Sequence, residues 1–276
     1  MKLADASSYF DRTPALDLTT GLGLFMGQIG NYDDSKRDAS AAYRRVLSVR
    51  PGTVMPASMV VSMLNKVWMI GAMEPDGLEE LYREKYVLQQ ASGQLNVSRL
   101  SGFLSSTVAG TYWASANWVK DAKQLEVSSE TPQIFDITMP GAADVRVHDI
   151  VWTTGVAYLV LSPRQVASGY VQVNSLKLDQ TAPVVASMTT RTYSPTTGTY
   201  TSAAPANVNA LLVRWQSLFE YGSQTSERYQ EGDAAIVLPS GTVVSTSTKI
   251  TVSSVAYQVL SVLDLDGAVV LHARKV

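Results

Sequence analysis

The side chains best suited to acid–base chemistry are the two histidines, His148 and His272. His148 precedes Asp149, but neighbouring residues on a strand point to opposite faces, so this carboxylate cannot readily orient the imidazole. We therefore expect His148 to be a surface histidine beside a turn. His272 is followed by the basic residues Arg274 and Lys275, which predicts a histidine that titrates in solvent or at a contact.

One acidic group has a spacing that suggests a metal site. Asp264, Asp266 and Gly267 match the start of a calcium-binding loop, but the glycine comes too early and the twelfth position is Lys275 instead of glutamate. Asp-Gly is also a strong signal for a type I′ hairpin turn, and we expect a hairpin here. The sequence therefore predicts no catalytic, metal or cofactor site, and we expect the protein not to be an enzyme.

Aromatic residues offer a different chemistry, since 13 Tyr and 5 Trp occur in the chain. Tyr112, Trp113, Trp118, Trp152 and Trp215 could stack against sugars or bases, as aromatic platforms on β-folds do. The aromatic residues therefore suggest one possible function, that of a carbohydrate-binding β-module of a tail or cell-surface protein. It is the alternative to a structural role.

The elements that would position these residues come from a repeated sequence. Residues 156–162 (VAYLVLS) return as residues 255–261 (VAYQVLS), with six of seven positions identical. A third, more diverged copy occurs near the start, where residues 45–71 align without gaps to residues 234–260. A repeated packing unit indicates related β-modules in tandem and favours a structural or assembly role.

The first and last copies share the residues that shape a strand-turn-strand unit. Gly52 falls opposite Gly241, and Trp68 falls opposite Tyr257. Alternating apolar residues flank Ser253 and its neighbour in the last copy, which predicts two strands around a tight turn. The fold class is therefore mainly β, with two related small β-barrel or sandwich domains in tandem, preceded by an extended N-terminal arm.

Length and composition agree with that fold class. A chain of 276 residues favours two modest domains. Charged residues make up 17%, below the usual share of about 25% in soluble domains. The formal charge of −2 provides no basic field for nonspecific nucleic-acid binding. The chain contains no cysteine, which fits folding in a reducing cytoplasm.

The most apolar stretch, residues 56–73, is long enough on paper to cross a membrane. Lys66 lies in its middle, where a lysine costs about 2.5–3.5 kcal/mol on insertion scales. Two buried strands joined at Asn65 and Lys66 explain this stretch better, and we expect no membrane contact.

Polar, turn-prone residues at 179–183 mark the expected domain boundary. The predicted domains are an N-terminal arm (1–40), a first β-domain with an insertion around 77–140 (41–182), and a second β-domain (183–276). The arm is too apolar for a disordered tail. We expect it to order against its own body or against a neighbouring subunit, as an assembly arm or as a simple folded terminus. Its candidate contact residues are Phe10, Leu16, Leu18, Leu24 and Phe25.

Residues 230–271 carry the repeated pattern most completely: an entry strand, a Gly-Thr-Val turn, the Lys249–Val252 strand and a strand that contains Tyr257, with Trp215 upstream. This order resembles the small β-barrels of tailed-bacteriophage neck proteins, the head-closure (stopper) and head-to-tail joining proteins. The resemblance covers 183–276 well and 41–72 and 141–178 in part, and it leaves the arm and 77–140 unmatched.

The resemblance implies a structural virion protein at the head-to-tail junction, assembled in the host cytoplasm. It implies a homo-oligomeric ring between the portal or adaptor and the tail proteins, around a channel through which genomic DNA passes without sequence-specific binding. It brings no cofactor and no catalytic residue. It also implies loops that line or close the channel, for which residues 91–96 and the hairpin with Tyr193, Thr197, Gly198 and Tyr200 are the candidates.

Overall fold

The computed structural model describes residues 13–31, 44–74, 83–118, 134–214 and 233–276, which form three closed antiparallel barrels of six strands each. Barrel 1 contains β1 (Thr13–Leu16), β2 (Gly23–Asn31), β3 (Arg44–Val49), β4 (Val60–Met63), β5 (Lys66–Glu74) and β6 (Glu84–Gln90). Barrel 2 contains β7 (Gly93–Ser98), the helix α1 (Leu100–Leu104), β8 (Gly110–Trp118), β9 (Ile134–Pro140), β10 (Ile150–Thr153), β11 (Val156–Gln165) and β12 (Tyr170–Lys177).

Barrel 3 carries an inserted two-stranded hairpin. Its elements are β13 (Val184–Thr189), the hairpin strands β14 (Arg191–Ser194) and β15 (Thr199–Ser202), then β16 (Ala206–Arg214), β17 (Asp233–Leu238), β18 (Lys249–Val252), β19 (Val255–Leu265) and β20 (Ala268–Lys275). With the hairpin set aside, every barrel has one strand order: first, second, third, sixth, fifth, fourth, and back to the first. The mainly β fold with small barrels in tandem is therefore confirmed.

The gapless alignment of the first and last copies is also confirmed. The aligned strands β4 and β18 begin and end at corresponding residues, as do β3 and β17. The two-residue turns after β4 and β18 have positive φ at both residues: Leu64 and Asn65 (53° and 58°), and Ser253 and Ser254 (49° and 67°). These angles belong to the type I′ turn, whose twist matches that of the flanking strands.

The number of barrels differs from the prediction, because three are present where two were expected. The predicted first domain, 41–182, holds most of barrel 1 and all of barrel 2. The region around 77–140, which we expected to be an insertion, supplies β6 of barrel 1 and β7, α1, β8 and β9 of barrel 2. The repeat was readable only in the third to fifth strands, since the first two strands of each barrel face different neighbours and differ in sequence.

The predicted N-terminal arm is also partly strand. Its described residues form β1 and β2, which pair with each other and complete barrel 1. Ala15 is fully buried there, and Phe25 packs against the barrel core. Because strands in a closed barrel satisfy their backbone groups on both sides, these residues belong to the domain body. Phe10 lies outside the described residues.

Each barrel encloses its own apolar core, and one aromatic residue occupies the same position in all three. Trp68, Tyr158 and Tyr257, at corresponding points of the fifth strand, are 5%, 7% and 7% exposed. The fifth strand also contains a bulge at an equivalent place in each barrel. A bulge increases local twist and helps a small sheet to close.

The connection between the first and second strands differs most among the barrels. In barrel 1 it is a short turn in which Asp17 accepts the backbone N–H of Thr19 and Thr20 (2.9 and 2.8 Å). In barrel 2 it carries α1, and in barrel 3 it carries the β14–β15 hairpin. Among the described residues, no helix has the length and apolar character that a membrane span requires.

Candidate functional site

Tyr170 lies at the centre of the junction between barrels 1 and 2. Its ring is 1% exposed and packs in a cluster with Val60, Met69 and Val87 of barrel 1. Its hydroxyl lies 2.7 Å from the Val87 carbonyl oxygen and 3.1 Å from that of Met69, so it donates to the backbone of β6 and β5 in barrel 1. A buried tyrosine whose hydroxyl is hydrogen-bonded fixes the orientation of the two barrels as well as the contact between them.

The same junction requires a close backbone approach at two glycines. The Ala72 N–H donates to the Ser168 carbonyl oxygen at 2.7 Å. A Cβ on Gly71 would collide with that oxygen and would lie 2.7 Å from Cζ of Tyr170. A Cβ on Gly169, whose φ is +79°, would lie 2.5 Å from the Ala72 nitrogen. Only glycine fits at these two positions.

The junction between barrels 2 and 3 is larger and more apolar. Outward-facing Ile150 and Leu159 of barrel 2 belong to one buried cluster with Ala235 and Val237 of barrel 3. The helix α1 adds three buried side chains to this cluster: Leu100, Phe103 and Leu104. Continuous apolar burial between two domains makes them behave as one unit.

Polar contacts between described residues also cross this second junction. Asn209 donates its Nδ2–H to the Leu104 carbonyl oxygen at 3.0 Å. His148 Nδ1 lies 3.0 Å from Asp266 Oδ2. His148 has φ of 68° and thus lies in a turn, as predicted, but its ring contacts barrel 3 and is 22% exposed. The predicted Asp266–Gly267 hairpin turn is present, with φ of 49° and 74°.

His272 does not lie in solvent, which was one of the two settings predicted for it, because its side chain is 1% exposed. Its Nε2 lies 2.8 Å from Oδ2 of Asp233, and Oδ1 of the same carboxylate accepts from Arg274 Nε at 2.7 Å. The pairing of β17 with β20 brings these residues together across the sheet. No local sequence signal marks this cluster, since Asp233 is distant from His272 in the chain. The ion pair of Arg274 with Asp233, whose carboxylate is also close to His272, suits a structural role in barrel 3.

A second ionic cluster fixes the loop between β9 and β10. Arg99 pairs with Asp149 and Asp144, both at 2.5 Å, and Asp149 also accepts the Arg146 N–H at 2.8 Å. Burial raises the pKa of Asp149, and the hydrogen bond from Arg146 lowers the pKa of Asp144. An open cleft of about 460 Å³ lies beside Arg99 and is lined mainly by small hydroxyl residues and backbone.

The proposed aromatic platform does not form from the described rings. Tyr112 packs against the barrel 2 interior, whereas Trp113 packs at the junction with barrel 1. Trp152 packs edge-on against Phe103 and donates its Nε1–H to Ser98 at 2.9 Å. The side chains of Trp118 and Trp215 lie outside the described part of the structure. The three described aromatic rings therefore serve three separate contacts.

The predicted channel or contact loop is the β14–β15 hairpin. Tyr193 and Tyr200 face each other across it, with ring centroids 5.1 Å apart and exposures of 52% and 63%. Thr197 and Gly198 form its tip, where Gly198 has φ of 65°. The other candidate loop, 91–96, is not a loop, because Ala91 is buried in the first junction and β7 begins at Gly93.

The candidate arm residues occupy two environments in barrel 1. Phe25 packs against the interior, and Leu16 lies half-buried at the end of β1. Leu18 and Leu24 remain exposed at 37% and 40%, beside Met26 at 39%. The β1–β2 hairpin therefore presents an outward aliphatic surface.

Within the described ranges, no group of three or more His, Asp or Glu side chains is placed to hold a metal ion. Comparison of the chain with protein-family models, with curated proteins and with solved structures finds no match.

Proposed function

We propose that this protein is a structural, non-catalytic subunit of the head-to-tail connector of a tailed bacteriophage, where it forms a ring with further copies of itself between portal and tail. The observation that carries the proposal is that the segment most similar to stopper barrels builds β17 to β20 of a closed barrel. The same topology then recurs twice more in the chain.

The junctions between the barrels support the role of a rigid ring subunit. Tyr170 and the glycine contacts fix barrel 1 on barrel 2, and a continuous apolar cluster fixes barrel 2 on barrel 3. A ring subunit must hold its heterologous faces at a constant angle, since a small angular error per subunit prevents closure. Buried junctions of this kind satisfy that requirement.

The β14–β15 hairpin is the candidate element for the channel. Beyond Arg191 at the base of β14, residues 192–206 contain no charged side chain, and all but one of the residues in the two hairpin strands are exposed. An uncharged loop beside DNA holds no phosphate, so DNA passes it without the counterion release that would bind it. The exposed pair Tyr193 and Tyr200 stiffens the hairpin across its strands.

The experiment measures the mass of the purified chain by light scattering after size exclusion. Electron microscopy of any large species and of virions then follows. The proposal expects rings with a central hole, or the protein at the virion neck. A monomer in solution combined with the absence of the protein from virions would refute it. A glycan-binding assay on the same sample tests the alternative of a carbohydrate-binding module.

A further inference from the structure

The two barrel junctions are built from equivalent positions. In each barrel, outward-facing cross-strand pairs join the fourth and fifth strands, and we name the pair that includes the first residue of the fourth strand the outer pair. The outer pairs are Val60 with Met69, Ile150 with Leu159, and Lys249 with Gln258. The first lies in the cluster at the junction of barrels 1 and 2, and the second lies in the cluster at the junction of barrels 2 and 3.

Each aliphatic outer pair packs near the second strand of the following barrel. Trp113 on β8 packs in the cluster that contains the barrel 1 outer pair. Asn209 on β16 bonds to barrel 2, and Leu211, two residues later, packs in the cluster with the barrel 2 outer pair. We name this outward side of the second strand the receiving face.

Strand register identifies the receiving face of barrel 1. Trp113 of barrel 2 and Asn209 of barrel 3 hold equivalent places in the second strand. Each lies two residues before the residue that pairs with one aligned position of the third strand. The corresponding residue of barrel 1 is Met26, because Gln28 pairs with Ser48, which aligns with Val237 of barrel 3. Met26 therefore occupies the place of Trp113 and Asn209.

In barrel 1 this receiving face is aliphatic and open. Leu24 and Met26 are 40% and 39% exposed, and Leu22 beside them is 68% exposed. The two corresponding residues in barrel 3 are asparagines, Asn207 and Asn209. Adjacent exposed aliphatic side chains on a sheet mark an interaction surface.

We propose that the receiving face of barrel 1 binds an aliphatic sheet face of a barrel in a different protein, in the way that barrels 2 and 3 receive the barrels before them. A second copy cannot dock in this way, because the aliphatic outer pairs of the described residues are already covered within the chain. The remaining outer pair, Lys249 with Gln258, is polar and would bring an ammonium group against Leu24 and Met26. The inference rests on the repeat geometry and does not require ring formation.

The test supplies the missing aliphatic pair on the chain itself. The full-length variant Lys249→Ile with Gln258→Leu reproduces at barrel 3 the outer pair of barrel 2. We expect this variant to associate head to tail, so that its mass by light scattering rises at least roughly two-fold above that of wild type as concentration increases. Adding Leu24→Thr and Met26→Thr should return the mass to the wild-type value, while β-branched residues preserve the strand.

A matched control distinguishes docking at the receiving face from nonspecific hydrophobic association. Thr199→Ile with Thr201→Leu adds the same two side chains to the exposed β15 strand and should leave the mass unchanged. An excess of wild-type chain, which offers a receiving face but no aliphatic outer pair, should shorten the assemblies of the Lys249→Ile, Gln258→Leu variant.

Three outcomes would overturn the proposal: a variant with aliphatic residues at 249 and 258 that gains no mass, a gain that survives the Leu24 and Met26 substitutions, or a wild-type oligomer that those same two substitutions dissociate. The last outcome would assign the face to a second copy. Wild-type rings that withstand the substitutions would leave the ring proposal and this inference both standing.

Discussion

At the scale of single residues, the junction of barrels 1 and 2 depends on the absence of side chains. Gly71 has the Ser168 carbonyl oxygen and the Tyr170 ring where its Cβ would stand, so the backbones meet without a spacer. Sequence reasoning did not find this contact, because a glycine in a strand is ambiguous until its neighbour is known. The partner, Ser168, lies far along the chain in another barrel.

Substitution of Gly71 by alanine should therefore destabilise the protein by about 1–3 kcal/mol or more, the usual cost of overpacking. Gly93→Ala is the matched control, since a Cβ on Gly93 meets open space. Urea denaturation of both variants measures the difference. Equal unfolding free energies for the two variants would contradict the proposed fit.

Asp136 provides a prediction for pH dependence. Burial raises its pKa, and the charge of Arg164 partly opposes that rise. The folded state therefore binds the proton more tightly than the unfolded state, so Asp136 favours folding most at low pH, below about 3.9, its unfolded value. This contribution is lost as pH rises through the folded-state pKa.

The unfolding free energy of wild type minus that of Asp136→Asn should consequently fall as pH rises from about 3 to 6, since only the wild-type residue titrates. Urea titrations at several pH values give this difference directly, and subtraction cancels the other carboxylates. A difference that rises with pH would show that attraction to Arg164 outweighs burial.

At the scale of elements, the sequence predicted what is local and repeated. The hairpin at Asp266 followed from turn chemistry, and the turn at Ser253 followed from the alternation of apolar residues on either side of it. The strands of the first and last copies followed from alignment. The first and second strands of each barrel could not be predicted this way, because their outward residues contact different neighbours in each barrel and therefore differ in sequence. The His272 cluster was missed for a related reason, since strand pairing alone brings Asp233 to it.

The β4–β5 turn is a specific weakness among these elements. Leu64 has φ of 53° and is 61% exposed, so it bears the strain of a left-handed conformation without the benefit of burial. Leu64→Asn should stabilise the protein by about 1 kcal/mol, because asparagine tolerates this region. Thermal and urea unfolding measure the gain. Leu22→Asn, at another exposed leucine, should give no such gain, and a gain there of equal size would indicate a solubility effect.

At the scale of the whole molecule, the three barrels form a continuous body, because the second junction buries aliphatic residues from both of its barrels. Multidomain chains separate into independent transitions where such junctions are weak. The apolar junction here predicts that barrels 2 and 3 protect each other from local opening.

Leu159→Asn places an amide in that junction and should uncouple barrels 2 and 3, since an unsatisfied buried polar group costs about 1–3 kcal/mol. Hydrogen exchange followed by mass spectrometry should show faster exchange in β10, β11, β16 and β17, with β3 of barrel 1 unchanged. Val185→Asn, at a residue that is 63% exposed, should change none of these rates. Uniform acceleration across all three barrels would indicate global destabilisation instead.

The connection between the first and second strands takes a different form in each barrel, whereas the rest of the barrel topology is constant. A turn, a helix and a hairpin have each been accommodated at this point while the six strands still close. The tip of the barrel 3 hairpin, between Thr197 and Gly198, is accordingly the natural place to graft a foreign peptide. An epitope or fluorescent label inserted there would report on assembly while leaving both junctions untouched.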